Sequence, residues 1–575
     1  MGMRGNWIMR GEILTLPILA LGLAVTGCGS GSKSGAAVEP TKTQRQAERN
    51  QMNPQSRDKL QQGGRLVWPI DSVPANFNLG ELDGTNIEGQ WILNAVLPSL
   101  FNFDASATPV FNPDYLTGEP QVANGPPQVV TYELNPKAIW YDGTPITAAD
   151  FIALWKSLNG THKAFRISSS NGYDQIQSVT QGASKFEVIV TFKKSYADWK
   201  GLFSLLYPAS TSNDPNVFNT GWKDRILTSA APFKFQSYDA SAKVYTLTPN
   251  EKWWGKKPKL DSIVFRVVDD DAMPTALANG EIDLMDVGAS ADSYNKVKNL
   301  PGVGIRIAGG PNFRHITING QSPQLKDVNV RQALAMAIDR SAIAKAELGA
   351  LPVEALALGN HIYMENQKGY QDNSGVVAYN PPQARQMLDA AGWTVQGNRR
   401  VKDGKTLSIN LIIPSGVSTS KSEAELVQNM LAQVSVDVQI NTVPVSDFFD
   451  KYISPGHYDF TVFSWLGTPF PVSASQSIYM KPVGDNIQEN YARVGTEQID
   501  RLFDDTVQEL DPVKAIQMGN EIDKLIWAEV HSLTLYQRPD IWAVKGGLAN
   551  MGAYGFASVA YEDIGWMSGS TAPPQ

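Results

Sequence analysis

The tightest constraint on this 575-residue chain is that it contains a single cysteine, Cys28. No intramolecular disulfide can staple any part of the fold, and a zinc site built from several cysteines is excluded. The histidines are His162, His315, His361, His457 and His531, and no two are spaced for a metal-binding helix face. The fold must therefore be held by apolar cores, and the length suffices for more than one. A formal net charge of -8 argues against a nucleic-acid backbone as partner. The 14 Trp, 19 Tyr and 21 Phe are enough both to fill cores and to line a cleft. No Gly-x-Ser-x-Gly, His-Glu-x-x-His or phosphate-loop motif occurs. The expectation is a protein that is not an enzyme and takes no cofactor.

The position of Cys28 is informative. Arg4 and Arg10 precede an apolar run from Ile13 to Val25, interrupted by Pro17. That run is too short to cross a bilayer as a helix, which needs about 20 residues, and has the form of a signal-peptide apolar region. It leads into Val25-Thr26-Gly27-Cys28, followed by Gly29-Ser30-Gly31-Ser32. This resembles the lipobox of bacterial lipoproteins. The resemblance implies cleavage after residue 27 and diacylglycerol on the Cys28 thiol, two acyl chains being enough for stable anchoring. Residues 1–27 are then a leader, and residues 28–64 a lipidated cysteine and flexible tether. As a coil, the tether would reach on the order of 35 Å. No later stretch is apolar for long enough to span a membrane.

The remaining chain reads as mixed α and β. Strands are predicted at 65–69, 129–134, 186–192, 244–248 and 262–267, short runs rich in β-branched and aromatic residues. Asp142-Gly143 marks a turn. Helices are predicted at 147–157, 330–338, 382–391, 422–434 and 515–528. Thr147 caps the first, while Pro382 opens and Gly392 closes the third. Asp269-Asp270-Asp271 reads as a solvated turn or cap, not a metal site.

Several local patterns then fall in one order. They are Trp140-Tyr141-Asp142-Gly143-Thr144-Pro145, Ala231-Pro232-Phe233, Asn250-Glu251-Lys252-Trp253-Trp254-Gly255, Ala278-Asn279-Gly280-Glu281-Ile282-Asp283, Asn329-Val330-Arg331-Gln332-Ala333-Leu334, Tyr379-Asn380-Pro381-Pro382 and Tyr458-Asp459-Phe460. Together they resemble the family 5 solute-binding proteins, the oligopeptide and dipeptide receptors of ABC importers. Tyr370-Gln371-Asp372-Asn373-Ser374-Gly375 resembles a run of an actinobacterial lipoprotein branch. Most of these residues read as structural: Trp140, Trp253 and Trp254 pack, and Arg331 and Asp339 pin a helix.

The resemblance implies an α/β, periplasmic-binding-protein-like two-lobe clamshell of the class II, cluster C type, with an extra domain. Domain I would comprise residues 65–95, 228–312 and 535–575, domain II residues 96–227, and domain III residues 313–534. It also implies an exported monomer, anchored by lipid to the outer face of the cytoplasmic membrane. Such a protein would close around a peptide or peptide-like ligand and serve the permease subunits of an ABC importer. Trp465 is expected to line the cleft, Asn490 to hydrogen-bond the ligand backbone and Tyr491 to stack. Phe77 and Asn78 are placed on the opposite wall, and Asn319 at the entry to domain III. His315 reads as structural.

One departure stands out. Peptide-binding members carry a Trp-x-Gly/Ala-Asp motif whose acid pairs with the peptide ammonium. Here the stretch is Trp465-Leu466-Gly467-Thr468, so a neutral hydroxyl replaces the carboxylate. An ammonium left unpaired in a closed cleft is costly. Three explanations stay open: Asp459 or another nearby carboxylate takes over, the peptide N-terminus is blocked or lies outside, or the ligand is not a peptide. The alternatives in function are a regulatory or scaffold envelope lipoprotein without transport, or a receptor for a glycan or lipid-derived solute.

Overall fold

The computed structural model describes residues 50–570, apart from residues 85, 126, 483, 485 and 486. Cys28 and the leader lie outside the described residues. Residues 50–64 correct the tether expectation. Gln51 bridges to Ala553, Leu60 is buried and bridges to Met567, and Arg57 donates to the Glu562 carbonyl at 2.8 Å. A segment that suggested a solvated coil instead finds fixed partners: the Asn53 side chain donates to the Leu548 carbonyl at 3.1 Å, and the Gln55 backbone N–H to Asn550 Oδ1 at 2.7 Å.

The strands gather into three main sheets. Arg65–Ile70, Ser262–Val267, Val244–Pro249 and Phe233–Asp239 form one, with the first pair parallel. Gln121–Ala123, Val129–Glu133, Glu187–Phe192 and Ile176–Gln181 form an antiparallel second. In Glu187–Phe192 every second residue is buried, as the two-residue repeat of a half-covered strand requires. The third sheet runs Leu284–Asp286, Ser532–Lys545, Val303–Ile318, Phe460–Leu466, Ser408–Pro414, Asp437–Val443.

The helices start where their caps dictate. Ala148–Leu158 opens on a capping box, with Asp150 accepting from Thr147 N–H at 2.8 Å. Asp339 caps Arg340–Leu348 by accepting from Ala342 N–H at 2.9 Å, and buried Arg331 donates to the Glu529 and Leu325 carbonyls. Both residues are structural, but they do not pin one helix as expected: Arg331 lies within Val328–Met336, and Asp339 caps the next helix. Asp270–Ala272 forms a single 3-10 turn. Pro381–Ala390 begins one residue earlier than predicted, and Gly392 leaves it at φ +87°.

Val303–Ile318 and Ser532–Lys545 shape the molecule most. At 16 and 14 residues they exceed the usual 3–10, and they pair antiparallel almost throughout. The ladder shifts register twice, between Gly309 and Phe313 and again between Arg314 and His315, and the first break is the larger. Gly309 pairs with Pro539, but the next pair is Phe313 with Gln537, so extra residues of the first strand bulge out. The sequence accounts for the break: Pro311 and Pro539 have no N–H to donate. Gly310 is also pressed so close that a Cβ there would lie 2.3 Å from the Arg538 carbonyl oxygen. The freed carbonyls are all satisfied. Gly309 O accepts from Asn366 Nδ2 at 3.0 Å, Gly310 O from Gln537 Nε2 at 2.5 Å and Pro311 O from Gly467 N–H at 2.8 Å.

Candidate functional site

The bulge opens onto a cavity of about 770 Å³, within the range of ligand pockets. One side is walled by Trp91, Asn102, Tyr173, Ser204 and Tyr207, and another by Asn312 and the loop Leu466–Phe470. Across the floor run Asp286 and Arg538–Asp540, and the segment 554–562 completes the enclosure. The wall is thus assembled from segments far apart in sequence that meet where the two long strands kink.

Only part of the predicted site is here. Thr468 lines the cavity. Its hydroxyl oxygen accepts from Phe470 N–H at 3.2 Å and its carbonyl from Gln367 Nε2 at 2.8 Å, so it also shapes the loop. Trp465 does not line the cavity. It stacks between His315 and Tyr491, with centroids 5.8 Å apart on both sides and interplanar angles of 11° and 2°. Trp465 and Tyr491 therefore stand behind the loop that does.

The other predicted contacts are corrected. Phe77 is fully buried, edge-on to Tyr245 at 5.3 Å. Asn78 is buried, donating to the Phe218 carbonyl at 2.9 Å and accepting from Gly80 N–H at 3.1 Å. Asn319 donates to the Gly456 and Tyr458 carbonyls at 3.0 and 2.9 Å. Asn490 donates to the Met480 and Val494 carbonyls at 2.7 and 2.8 Å. Each amide satisfies backbone in a buried turn, a demand that competes with ligand binding and here takes precedence. Asp459, the carboxylate nearest in sequence to Thr468, accepts from Asn410 N–H at 2.8 Å and stays out of the cavity. Trp253 lines the cavity as well as packing on Trp254, with centroids 4.4 Å apart.

The residues missed from sequence are those of the bulge. Asp286 accepts from Gly288 N–H at 2.7 Å and meets Arg538 at 3.3 Å. Asp540 accepts from Trp542 Nε1 at 2.6 Å and Gly555 N–H at 2.8 Å. Burial, then the neighbouring Asp286, pushes the Asp540 carboxyl up to about 7, while Arg538 opposes the shift. The available signal was Gly309-Gly310-Pro311 and Arg538-Pro539-Asp540, prolines set inside apolar β-rich runs.

Beyond the cavity the two sides touch again. Ala197 N–H donates to the Val507 carbonyl at 2.7 Å, and Asp198 accepts from Ser473 N–H at 3.3 Å in the first turn of the helix Pro471–Tyr479. Phe470 meets Phe103 edge-on at 5.8 Å. The cavity is thus held between a covalent crossing at the bulge and a non-covalent rim.

An α/β protein of two lobes with a cleft at their strand crossing is a periplasmic-binding-protein-like fold. The description "Bacterial extracellular solute-binding proteins, family 5 Middle" matches residues 118–486. The chain is 40% identical over 557 residues to the oligopeptide-binding protein OppA of Mycobacterium tuberculosis, covering 96% of this chain and 93% of that one. Among solved structures it superposes on the periplasmic EDTA-binding protein EppA with a TM-score of 0.84 at 24% identity, covering 90% of this chain and 98% of that one. It superposes on the oligopeptide-binding protein AppA of Bacillus subtilis, solved with a nonapeptide, with a TM-score of 0.74 at 20% identity, covering 89% and 100%. This chain belongs to the family 5 extracellular solute-binding proteins, in an actinobacterial branch. Among the described residues, no helix is long and apolar enough to cross a membrane.

Proposed function

We propose that this protein captures oligopeptides outside the cytoplasmic membrane and delivers them to the permease subunits of an ABC importer. The observation that carries the reading is the cavity at the strand crossing. It is walled from both lobes, so a ligand inside it touches both at once and favours the closed form. Likeness to a relative named as oligopeptide-binding, over nearly the whole of both chains, supports oligopeptides as the ligand class. Closure would bend the two long strands at Gly309–Asn312, where the ladder is already broken, and make the rim contacts at Asp198 and Ala197. Domain I at 65–95, 228–312 and 535–575, domain II at 96–227 and domain III at 313–534 are the units we assign to this motion. Cys28 is the proposed lipid attachment point, and a monomer that binds without chemical turnover is sufficient for the task. The outermost ligand contacts we assign are Thr468 directly, and Trp465 and Tyr491 through the loop they support.

The test is native mass spectrometry of the chain from residue 29 onward, followed by denaturing release of what co-purifies. A ladder of peptide masses is expected. A single non-peptide mass, or a consistently empty protein, would overturn the peptide reading. For the anchor, Cys28→Ala is expected to release the protein from membranes, and retention of the variant would refute lipidation.

A further inference from the structure

Thr468 leaves the cavity without the acid that the family's peptide-binding motif places there, yet the cavity is not short of acid. Among the described residues, the charged side chains lining it are Asp114, Asp286, Asp540, Glu562 and Arg538, four carboxylates against one guanidinium. Lys256 lies close enough to Asp114 and Glu562 to offset them in part. Among the described residues, the cation that faces both Asp286 and Asp540 at the bulge is Arg538, and it meets Asp286 at only 3.3 Å. More acid stands behind: Asp71, near Asp270 and Glu88, also feels Asp286.

Each of the two bulge carboxylates has spare capacity. An ionised carboxylate offers about four acceptor sites. Asp540 uses one on each oxygen, for Trp542 and Gly555, and Asp286 one on each, for Gly288 and Arg538. A separate observation in the same cavity points the same way. The amide oxygen of Asn312, carried on the bulge, is buried and has no hydrogen-bond partner. Orphaned buried acceptors are rare, and a ligand donor is a ready explanation. Acceptors in excess, under-neutralised negative charge and partial enclosure together fit a compact, strongly donating cation.

We propose that Asp286 and Asp540, with the Asn312 amide oxygen, form the seat for a primary ammonium group of the ligand, replacing the acid absent at position 468. The inference rests on the peptide reading above and deepens it. The ammonium is that of a peptide N-terminus or of a lysine side chain; the chemistry is shared and the experiment separates the two. An anionic chelate, such as the one named for the fold neighbour, is disfavoured by the same charges.

The test uses the chain from residue 29, which retains the whole compact unit 46–575. The probes are four pentapeptide libraries, with or without lysine and with free or acetylated N-termini. Binding is read by native mass spectrometry and thermal shift, for the wild type, Asp540→Asn and Asp286→Asn. The asparagine variants keep side-chain shape, and circular dichroism confirms that each is folded. If the N-terminus is the cation, acetylation weakens binding at least tenfold whether or not lysine is present. If lysine is the cation, acetylated libraries bind well only when they contain lysine. In either case both variants lose at least tenfold for the ammonium-bearing library and much less for the library lacking it. Equal binding of all four libraries, or variants that bind as the wild type does, would overturn the inference and leave the peptide reading standing. Failure of every library to bind the wild type would overturn both.

Discussion

Arg314 and Arg538 lie on the two long strands, one just past the bulge and the other inside it, and each meets a carboxylate. Arg314 is sealed. Its partner Glu423 is fully buried, accepting from Arg314 Nε at 3.0 Å and from the Tyr536 hydroxyl at 2.8 Å, while Ser420 takes a further guanidinium N–H at 2.9 Å. Arg538 and Asp286 are each about a third exposed and share one contact at 3.3 Å, with Asp540 close by. The same chemistry gives a saturated pair in the core and an unsaturated one at the cavity. A buried charge pair must be complete to be tolerated. One left incomplete beside a cavity has capacity for something that enters.

The comparison breaks most directly at Glu423. Glu423→Ala leaves Arg314 buried without its counter-charge, and is expected to cost about 3–5 kcal/mol in urea unfolding. The molecules that remain folded should bind ligand with unchanged affinity. Asp286→Asn is expected to do the reverse. If Glu423→Ala weakens binding while leaving stability intact, the division between the two pairs is wrong.

Trp465 tests the boundary between them. It stands behind the cavity loop, stacked between His315 and Tyr491. Truncating a buried tryptophan typically costs about 3–5 kcal/mol, and its partial exposure lowers the expectation for Trp465→Ala to about 2–3 kcal/mol. The measurement is the urea midpoint of the empty protein. A variant as stable as the wild type but with affinity reduced at least tenfold would place Trp465 against the ligand instead.

Much of this architecture was legible in advance. Every predicted strand and helix has a counterpart, because two-residue alternation, the Thr147 cap and the Pro382 to Gly392 frame are local signals. The asparagines were not legible. Asn78, Asn319 and Asn490 carry the same amide whether it meets a ligand or a nearby carbonyl, and only the tertiary turn decides between them. The cavity floor was hidden for another reason. Leu535-Tyr536 and Ile541-Trp542 read as one apolar strand, and the Arg538-Pro539-Asp540 between them gains meaning only opposite Gly310 and Pro311 on a strand more than 200 residues earlier.

Asp540 makes the comparison sensitive to pH. Its carboxyl is raised to about 7 by burial and by Asp286, against about 3.9 in an unfolded chain. Between about pH 4 and pH 7 the folded protein, with its cavity as described, therefore holds a proton there that the unfolded chain has released. The stability this contributes is fully present below about pH 4 and is lost as pH rises through about 7. Allowing for partial exposure, the effect is on the order of 1 kcal/mol. Asp114 and Glu562 are also raised by burial, so the quantity to follow is the difference between wild type and Asp540→Asn at pH 5 and pH 8. Parallel pH profiles for the two proteins would mean that Asp540 does not titrate in this window.

The smallest effect is expected at the rim, which unlike the bulge has no chain connection holding it. There Asp198 accepts from Ser473 N–H at 3.3 Å, and burial raises its carboxyl while the Ser473 bonds pull it back down. The contact lies where a helix N-terminus favours negative charge. On the closure proposed above it joins the two lobes, and it contributes only when they are together. Asp198→Ala should therefore leave the unfolding of the empty, open protein almost unchanged. A hydrogen bond of this kind contributes about 0.5–1.5 kcal/mol net, so bound peptide should leave about two- to twelvefold faster, with little change in its rate of arrival. Stopped-flow tryptophan fluorescence separates the two rates. Equal slowing of arrival and release would mean that the contact persists in the open form. An unchanged release rate would shift the closing contribution to the Ala197–Val507 bond and the Phe103–Phe470 pair beside it.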